Sequence, residues 1–169
     1  MLGSIGSSDV YVPLVKYPLA QEIEGIKIFQ FCGPVHYVCA DLFDQLLRQR
    51  TRIDVKNITK EIASREQGLF DPRELGLPTH IILDFSMISY IDSAGLHVIK
   101  KIIEDYNRIN ITILLASLAS HVATVVKSEP TLWNTYKERF YVTLADAVHC
   151  AIRDSQERKQ GTMVAMPNC

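Results

Sequence analysis

The chain has 169 residues, room for one domain of ordinary size and none for a second catalytic domain, since soluble domains run to about 100–200 residues. With 47% hydrophobic and 22% charged residues, it can bury a core without disulfides or a metal, which excludes disordered and fibrous classes. Eighteen Lys and Arg against nineteen Asp and Glu leave a net charge of −1, far from the basic excess that a nucleic-acid-binding domain needs.

Cys32, Cys39, Cys150 and Cys169 form no C-x-x-C pair and stand at no zinc-finger spacing from a histidine, so they read as reduced thiols in a cytosolic setting. No stretch approaches the roughly 18 consecutive apolar residues of a membrane span, and the start lacks a charged segment followed by an apolar run. A soluble, unexported polypeptide is expected.

Residues 1–10 are rich in Gly and Ser and read as a flexible leader outside the fold. The folded domain is expected over 11–155, with 156–169 as a flexible tail. Ile26-Lys27-Ile28-Phe29-Gln30-Phe31 alternates apolar and polar residues and closes on Cys32-Gly33-Pro34, the pattern of a half-buried strand. Val38, Leu42, Phe43, Leu46 and Leu47 then recur at three- and four-residue steps, which predicts an amphipathic helix over 38–50.

Residues 51–78 are dense in charge and are punctuated by Pro72, Gly76 and Pro78. They read as a long surface insertion with a turn of helix around 57–66, so deleting 52–76 is expected to leave the core folded. His80-Ile81-Ile82-Leu83-Asp84-Phe85 is a buried strand by composition, and a second apolar segment, Met87–Ile91, leads into Asp92-Ser93. Leu96, Ile99, Ile102, Ile103 and Tyr106 form the core stripe of a helix capped by Asp92 or Ser93 and ending near Asn110.

Ile111–Leu115 is another buried strand, and Val122, Val125 and Val126 predict a helix that stops before Pro130. Trp133 is expected to be a packing anchor near a helix connection. Phe140-Tyr141-Val142 is a short last strand, after which Thr143 caps a helix with Ala147, Cys150 and Ala151 inward. Strands alternating with helices imply an α/β fold, a mixed central β-sheet covered by helices.

The segment richest in chemistry runs from Asp84 to Leu96. A buried strand ends, the chain turns, and Ser93 opens a helix whose free amides and dipole favour an anion. Gly95 leaves room for close approach, so a phosphate on Ser93, or a docked anion, would be tolerated there. The plainer alternative is that Ser93 only caps the helix, worth about 1 kcal/mol.

No residues qualify as catalytic or metal-ligating: the five histidines lack ligand spacing, and phosphate-binding glycine loops and G-x-S-x-G are absent. No cofactor is expected, and an enzyme is not expected. The sequon at Asn57-Ile58-Thr59 reads as chance, and Lys100, Lys101 and Arg108 as a solvated face or a patch for an acidic partner.

Leu83-Asp84-Phe85-Ser86 with Ile91-Asp92-Ser93-Ala94-Gly95-Leu96 resembles the signature of STAS domains, shared by sulfate transporters and bacterial anti-sigma factor antagonists. Ser93 matches the serine that the antagonists have phosphorylated by a partner kinase, while Ala94 departs from the second serine frequent there. Tyr17–Ala20, Gly25–Phe31, Gly33–Tyr37, Ala40–Phe43 and Phe140–Val148 are similar to the cytosolic domain of SulP-type anion exchangers, the prestin and pendrin class, and the 51–78 insertion resembles their variable loop. These matches span about residues 11–152.

The resemblance implies an anti-sigma-antagonist-like fold and a regulatory and interaction domain on the cytoplasmic side of a multi-pass membrane protein. Its implied partners are the transmembrane domain of the same transporter, a second copy in a homodimer, and cytosolic regulatory proteins. Two alternatives stay open at this point. One is a stand-alone antagonist switched by phosphorylation at Ser93; the other is a module that weakly binds a nucleotide or anion through Asp92, Ser93, Ala94 and Gly95 or through Gly33 and Pro34.

Overall fold

The computed structural model describes residues 1–6, 9–64 and 70–161. The chain opens with two short strands, β1 (Leu2–Ser4) and β2 (Tyr11–Pro13), followed by β3 (Ile26–Gln30), α1 (Ala40–Thr51) and α2 (Val55–Ser64). Next come β4 (His80–Asp84), α3 (Ser93–Asn107), β5 (Thr112–Ala116), α4 (Ser120–Lys127), α5 (Pro130–Tyr136), β6 (Phe140–Tyr141) and α6 (Leu144–Gly161). The strands form one mixed sheet in the order β2-β1-β3-β4-β5-β6, antiparallel on the β2/β1/β3 side and parallel from β3 to β6.

Successive side chains of a strand point to opposite faces, and this alternation divides the core. Phe29, Ile81, Leu83, Ile113 and Leu115 join the larger cluster with Phe43 and Leu47 of α1 and Leu96, Ile99, Ile103 and Tyr106 of α3. Ile28, Ile82 and Leu114 face the other way, onto Ala147, Val148 and Ala151 of α6. Both faces of β4 are therefore covered, as its near-continuous apolar run requires.

The start of α6 is built as expected: the Asp146 amide donates to Thr143 Oγ1 at 3.1 Å, and that hydroxyl donates back to the Asp146 carboxylate at 2.7 Å. Trp133 lies within α5, a helix the sequence reading does not separate, and packs on Phe140 at 5.4 Å between ring centroids.

Four expectations need correction. Residues 1–10 are not a leader outside the fold, because Leu2 is buried and β1 pairs with both β2 and β3. Gly3 is a close-approach residue: a Cβ there would stand 2.5 Å from Leu14 Cδ2 and 2.6 Å from the Gln21 carbonyl oxygen. Ser7 and Ser8 lie outside the described residues.

The 51–78 segment is not wholly a surface insertion. Ile53 and Val55 are buried in the main cluster, and Ile58 and Ile62 of α2 pack against it at helical spacing. Residues 65–69 lie outside the described residues. In the third correction, Val38 and Leu42, expected in the core stripe, are exposed.

Finally, residues 156–161 are not a flexible tail but the last turns of α6. The Arg158 guanidinium donates to Thr112 Oγ1 at 2.8 Å and to the Asn110 carbonyl at 3.3 Å, fastening that helix to the start of β5. Residues 162–169 lie outside the described residues.

Candidate functional site

At the C-terminal ends of β3 and β4 the chain makes two loops, 32–39 and 85–92, and the fold zips them together. The Gly33 amide donates to the Met87 carbonyl at 3.1 Å, Val35 N–H to Tyr90 O at 2.8 Å, and Asp92 N–H to Val35 O at 3.3 Å. Val35, Ile88 and Ile91 are buried beneath this ladder. The Met87–Ile91 segment is thus not a strand, although Val35 and Ile91 form a single parallel bridge.

Both sequence-predicted anion sites, Gly33-Pro34 and Asp92–Gly95, are therefore brought side by side at the zipped loops, with Gly95 itself buried. Asp84 fixes the turn below it: its carboxylate accepts from the Ser86 amide at 3.0 Å, from Ser86 Oγ at 2.9 Å and from Gln30 Nε2 at 2.7 Å. On the far side, His121 of α4 donates from Nε2 to the Ser89 carbonyl at 2.8 Å. The loop is held from three elements.

Asp92, not Ser93, is the N-cap of α3. Its carboxylate accepts from the Gly95 amide at 2.9 Å and from the Tyr37 amide at 3.1 Å. These bonds, the Gly95 amide first, hold the Asp92 carboxyl below the usual carboxylate range. The negative charge that the helix terminus attracts is supplied from within the chain, so an external anion there has to displace Asp92.

Gly95 is a close-packing position of the fold. A Cβ on it would fall 2.1 Å from the Val35 carbonyl oxygen and 2.8 Å from Ile91 Cγ1. Ala94 is half-buried, while Ser93 is exposed and stands at the first helical position. Gly33 has φ +131°, a backbone conformation that favours glycine.

The sequence reading misses the apolar surface around these residues. Tyr37 is 77% exposed and Tyr90 54%, and Val38, Leu42 and Met87 are exposed with them. All five belong to the two zipped loops or to the first turn of α1. The available signal is the width of the apolar stripe over 38–47, broader than one buried helix face requires.

Of the basic residues after Ser93, Lys100 donates to Thr131 Oγ1 at 2.9 Å and Arg108 pairs with Asp105 at 3.0 Å, while Lys101 is exposed. Among the described residues, no group of three or more His, Cys, Asp and Glu is arranged to hold a metal ion, and no helix is long and apolar enough to cross a membrane.

The STAS domain family model matches residues 17–147. The chain is 29% identical over 184 aligned positions to a sulfate transporter of Bubalus bubalis, covering 99% of this chain and 25% of that protein. It is 24% identical over 218 positions to prestin of Rattus norvegicus, covering 97% of this chain and 29% of that protein. The chain thus spans about a quarter of the length of the curated relatives it matches. Its fold superimposes on part of the murine solute carrier 26 family member A9 anion transporter with a TM-score of 0.73 and 22% identity, over 90% of this chain and 22% of that one.

Proposed function

Because the chain belongs to the STAS domain family, we propose that it is the cytoplasmic regulatory and interaction domain of a SulP-type anion transporter. In this reading it seats against the transmembrane domain of the same protein, pairs with a second copy and offers a surface to cytosolic regulators. The observation that carries it is the set of exposed apolar side chains Tyr37, Val38, Leu42, Met87 and Tyr90 on the two zipped loops and the start of α1, joined through the Tyr37–Asp92 bond to the helix start that carries the exposed Ser93. An apolar surface ringed by polar groups marks a contact site, and Ser93 stands where an added charge would alter that contact.

The chain lacks paired catalytic groups in its sequence pattern, and the relatives carry it as about a quarter of their length, so its work is to bias a larger machine. A phosphate on Ser93, of charge about −1.5 to −2, would gain from the α3 dipole and repel Asp92.

The test is transport by the full-length protein carrying Ser93→Glu or Ser93→Ala, with surface expression measured for each. Glu should change the rate while Ala leaves it unaltered. If neither variant changes transport at normal surface expression, Ser93 is no switch and the domain acts as a scaffold. Tyr37→Ser with Tyr90→Ser, both at exposed positions, should weaken assembly or transport without unfolding the domain; unchanged assembly and transport would remove the docking role of this face.

A further inference from the structure

We propose that the β2–β3 connection, together with the C-terminal turn of α1, is a docking surface for an anionic lipid bilayer. Within five residues of this connection Val15 is 89% exposed, Leu19 81% and Tyr17 47%, with Lys16 between the first and the third. Single exposed apolar residues are common, but three so close together are not explained by the fold.

The connection is built rather than loose. The Lys16 and Tyr17 amides donate to the Pro13 carbonyl at 3.0 and 3.2 Å, and the Ala20 amide donates to the Tyr17 carbonyl at 3.0 Å. Its ends are tied to the sheet edge, where Leu14 N–H donates to Met1 O at 3.2 Å and the Ser4 and Gln21 amides exchange hydrogen bonds with each other's carbonyls. The backbone thus holds the aliphatic side chains out in solvent, at a steady hydrophobic cost.

Beside Val15 lies a groove of about 550 Å³, lined by Leu14, Val15, Glu22, Arg50 and Arg52 among others. Arg50 and Arg52 end α1 on its exposed side, and no ion pair joins either to an acidic group among the described residues. The acid of the groove, Glu22, is already taken by Lys27 at 3.0 Å. Two guanidinium groups therefore lie across the groove from Val15, and Lys16 follows it in the chain, with little negative charge in the groove to offset them.

This is the chemistry of the lipid interface: aliphatic tips that enter the headgroup region, a tyrosine with an apolar body and a polar end, and cations at the level of anionic headgroups. A protein partner fits less well. Side chains as exposed as Val15 and Leu19 project from the surface, and a soft medium that closes around them buries more of their area than a fixed surface does. With a net charge of −1 for the whole chain, attraction to an anionic surface has to come from such a local cluster. The inference is independent of the role assigned to Ser93.

The test is co-sedimentation of the 169-residue chain with phosphatidylcholine vesicles, with and without phosphatidylserine. Binding should require phosphatidylserine and weaken as salt is raised. Arg50→Gln with Arg52→Gln should lower the partition coefficient about 25-fold, roughly fivefold for each cation removed. Val15→Ser with Leu19→Ser should lower it roughly tenfold at any salt. Circular dichroism should find both variants folded, since all four side chains are exposed. Absence of binding to the anionic vesicles overturns the proposal, as does equal binding to both vesicle types. It is also overturned if these two variants bind like the wild type while Tyr37→Ser with Tyr90→Ser abolishes binding, or if soluble glycerophosphoserine displaces the chain from the vesicles.

Discussion

Gly95→Ala separates the two physical roles a glycine can play in a helix. On propensity alone the substitution should stabilise α3 by about 1 kcal/mol, since alanine is the better helix former. The structure predicts the opposite, because the new methyl would stand 2.1 Å from the Val35 carbonyl oxygen, 2.8 Å from Ile91 Cγ1 and 3.0 Å from the Val35 carbonyl carbon. Two of these atoms are backbone, and Val35 and Ile91 are buried, so no flexible side-chain end can swing aside.

Relief requires the 32–39 loop and the start of α3 to separate. Such overpacking costs about 1–3 kcal/mol. Separation also strains the Val35 N–H to Tyr90 O and Asp92 N–H to Val35 O hydrogen bonds, each worth about 1 kcal/mol. After the propensity gain, a net loss of about 2–4 kcal/mol remains, which for a chain of this length lowers the thermal midpoint by about 4–16 °C. Thermal unfolding followed by circular dichroism, with Ser93→Ala as the exposed control, measures it. A midpoint equal to or above that of the wild type would refute the close packing of α3 against the Val35 carbonyl.

Deleting 52–76 should abolish cooperative unfolding in urea, because Ile53 and Val55 leave the main core with it; a deletion that unfolds as sharply as the wild type would show that α2 is dispensable. His80 predicts a pH dependence. Burial pushes its pKa below the ordinary 6.5 although the Asp154 carboxylate, 2.7 Å from Nε2, pulls it up; Arg158 and Arg139 add to the lowering. The unfolded chain then takes up the proton more readily than the folded one, so this contribution to stability is complete above about pH 6.5 and is lost as the pH falls through the window below it. Urea midpoints compared between the wild type and His80→Gln should converge in slope below that pH only if another group is responsible. Tyr141 donates to Cys150 Sγ at 2.8 Å and, mainly through burial, is pushed up to about 12; ultraviolet titration of Tyr141→Phe should lose a phenol that ionises in that range, and loss of one ionising near the ordinary value instead would contradict this burial.

Period and composition are enough to place the parallel strands, because β3, β4 and β5 are short apolar runs and α1 and α3 carry stripes at helical spacing. The edge is harder to read. β1 has one large apolar side chain and is held by backbone pairing, which leaves no periodic signal, and Gly3 looks like flexibility where it is close packing. In α2 the three charges Lys56, Lys60 and Glu61 are interleaved with the three apolar anchors Val55, Ile58 and Ile62, so the buried face is hard to separate from the charge-dense segment around it.

At the site, Asp92, Ser93 and Gly95 are legible as a helix start. The sequence cannot say that Gly95 faces Val35, because that contact joins loops about sixty residues apart. It also cannot say which apolar residues of the 38–47 stripe remain exposed, since that depends on how far α3 covers α1.

Asp92 is the joint through which charge at Ser93 would reach the apolar face. Its carboxylate spans two elements, accepting from Gly95 on α3 and from Tyr37 on the neighbouring loop. The Gly95 bond lies within the helix start and is rigidly presented, whereas the Tyr37 bond ties the Asp92 carboxylate to the exposed part of the 32–39 loop, beyond the buried Val35 to which the Asp92 amide donates. A negative charge introduced one residue away competes for the same positive helix end and repels the carboxylate, with no more than the strength of a solvent-screened surface interaction. That is comparable to one exposed hydrogen bond, so the Tyr37 tie should yield first while the buried Val35 ladder holds. Ser93→Glu should therefore speed amide exchange at Tyr37 about two- to fivefold and leave Val35 unchanged. Equal protection of Tyr37 in the two proteins would show that Ser93 does not communicate with the apolar face through Asp92.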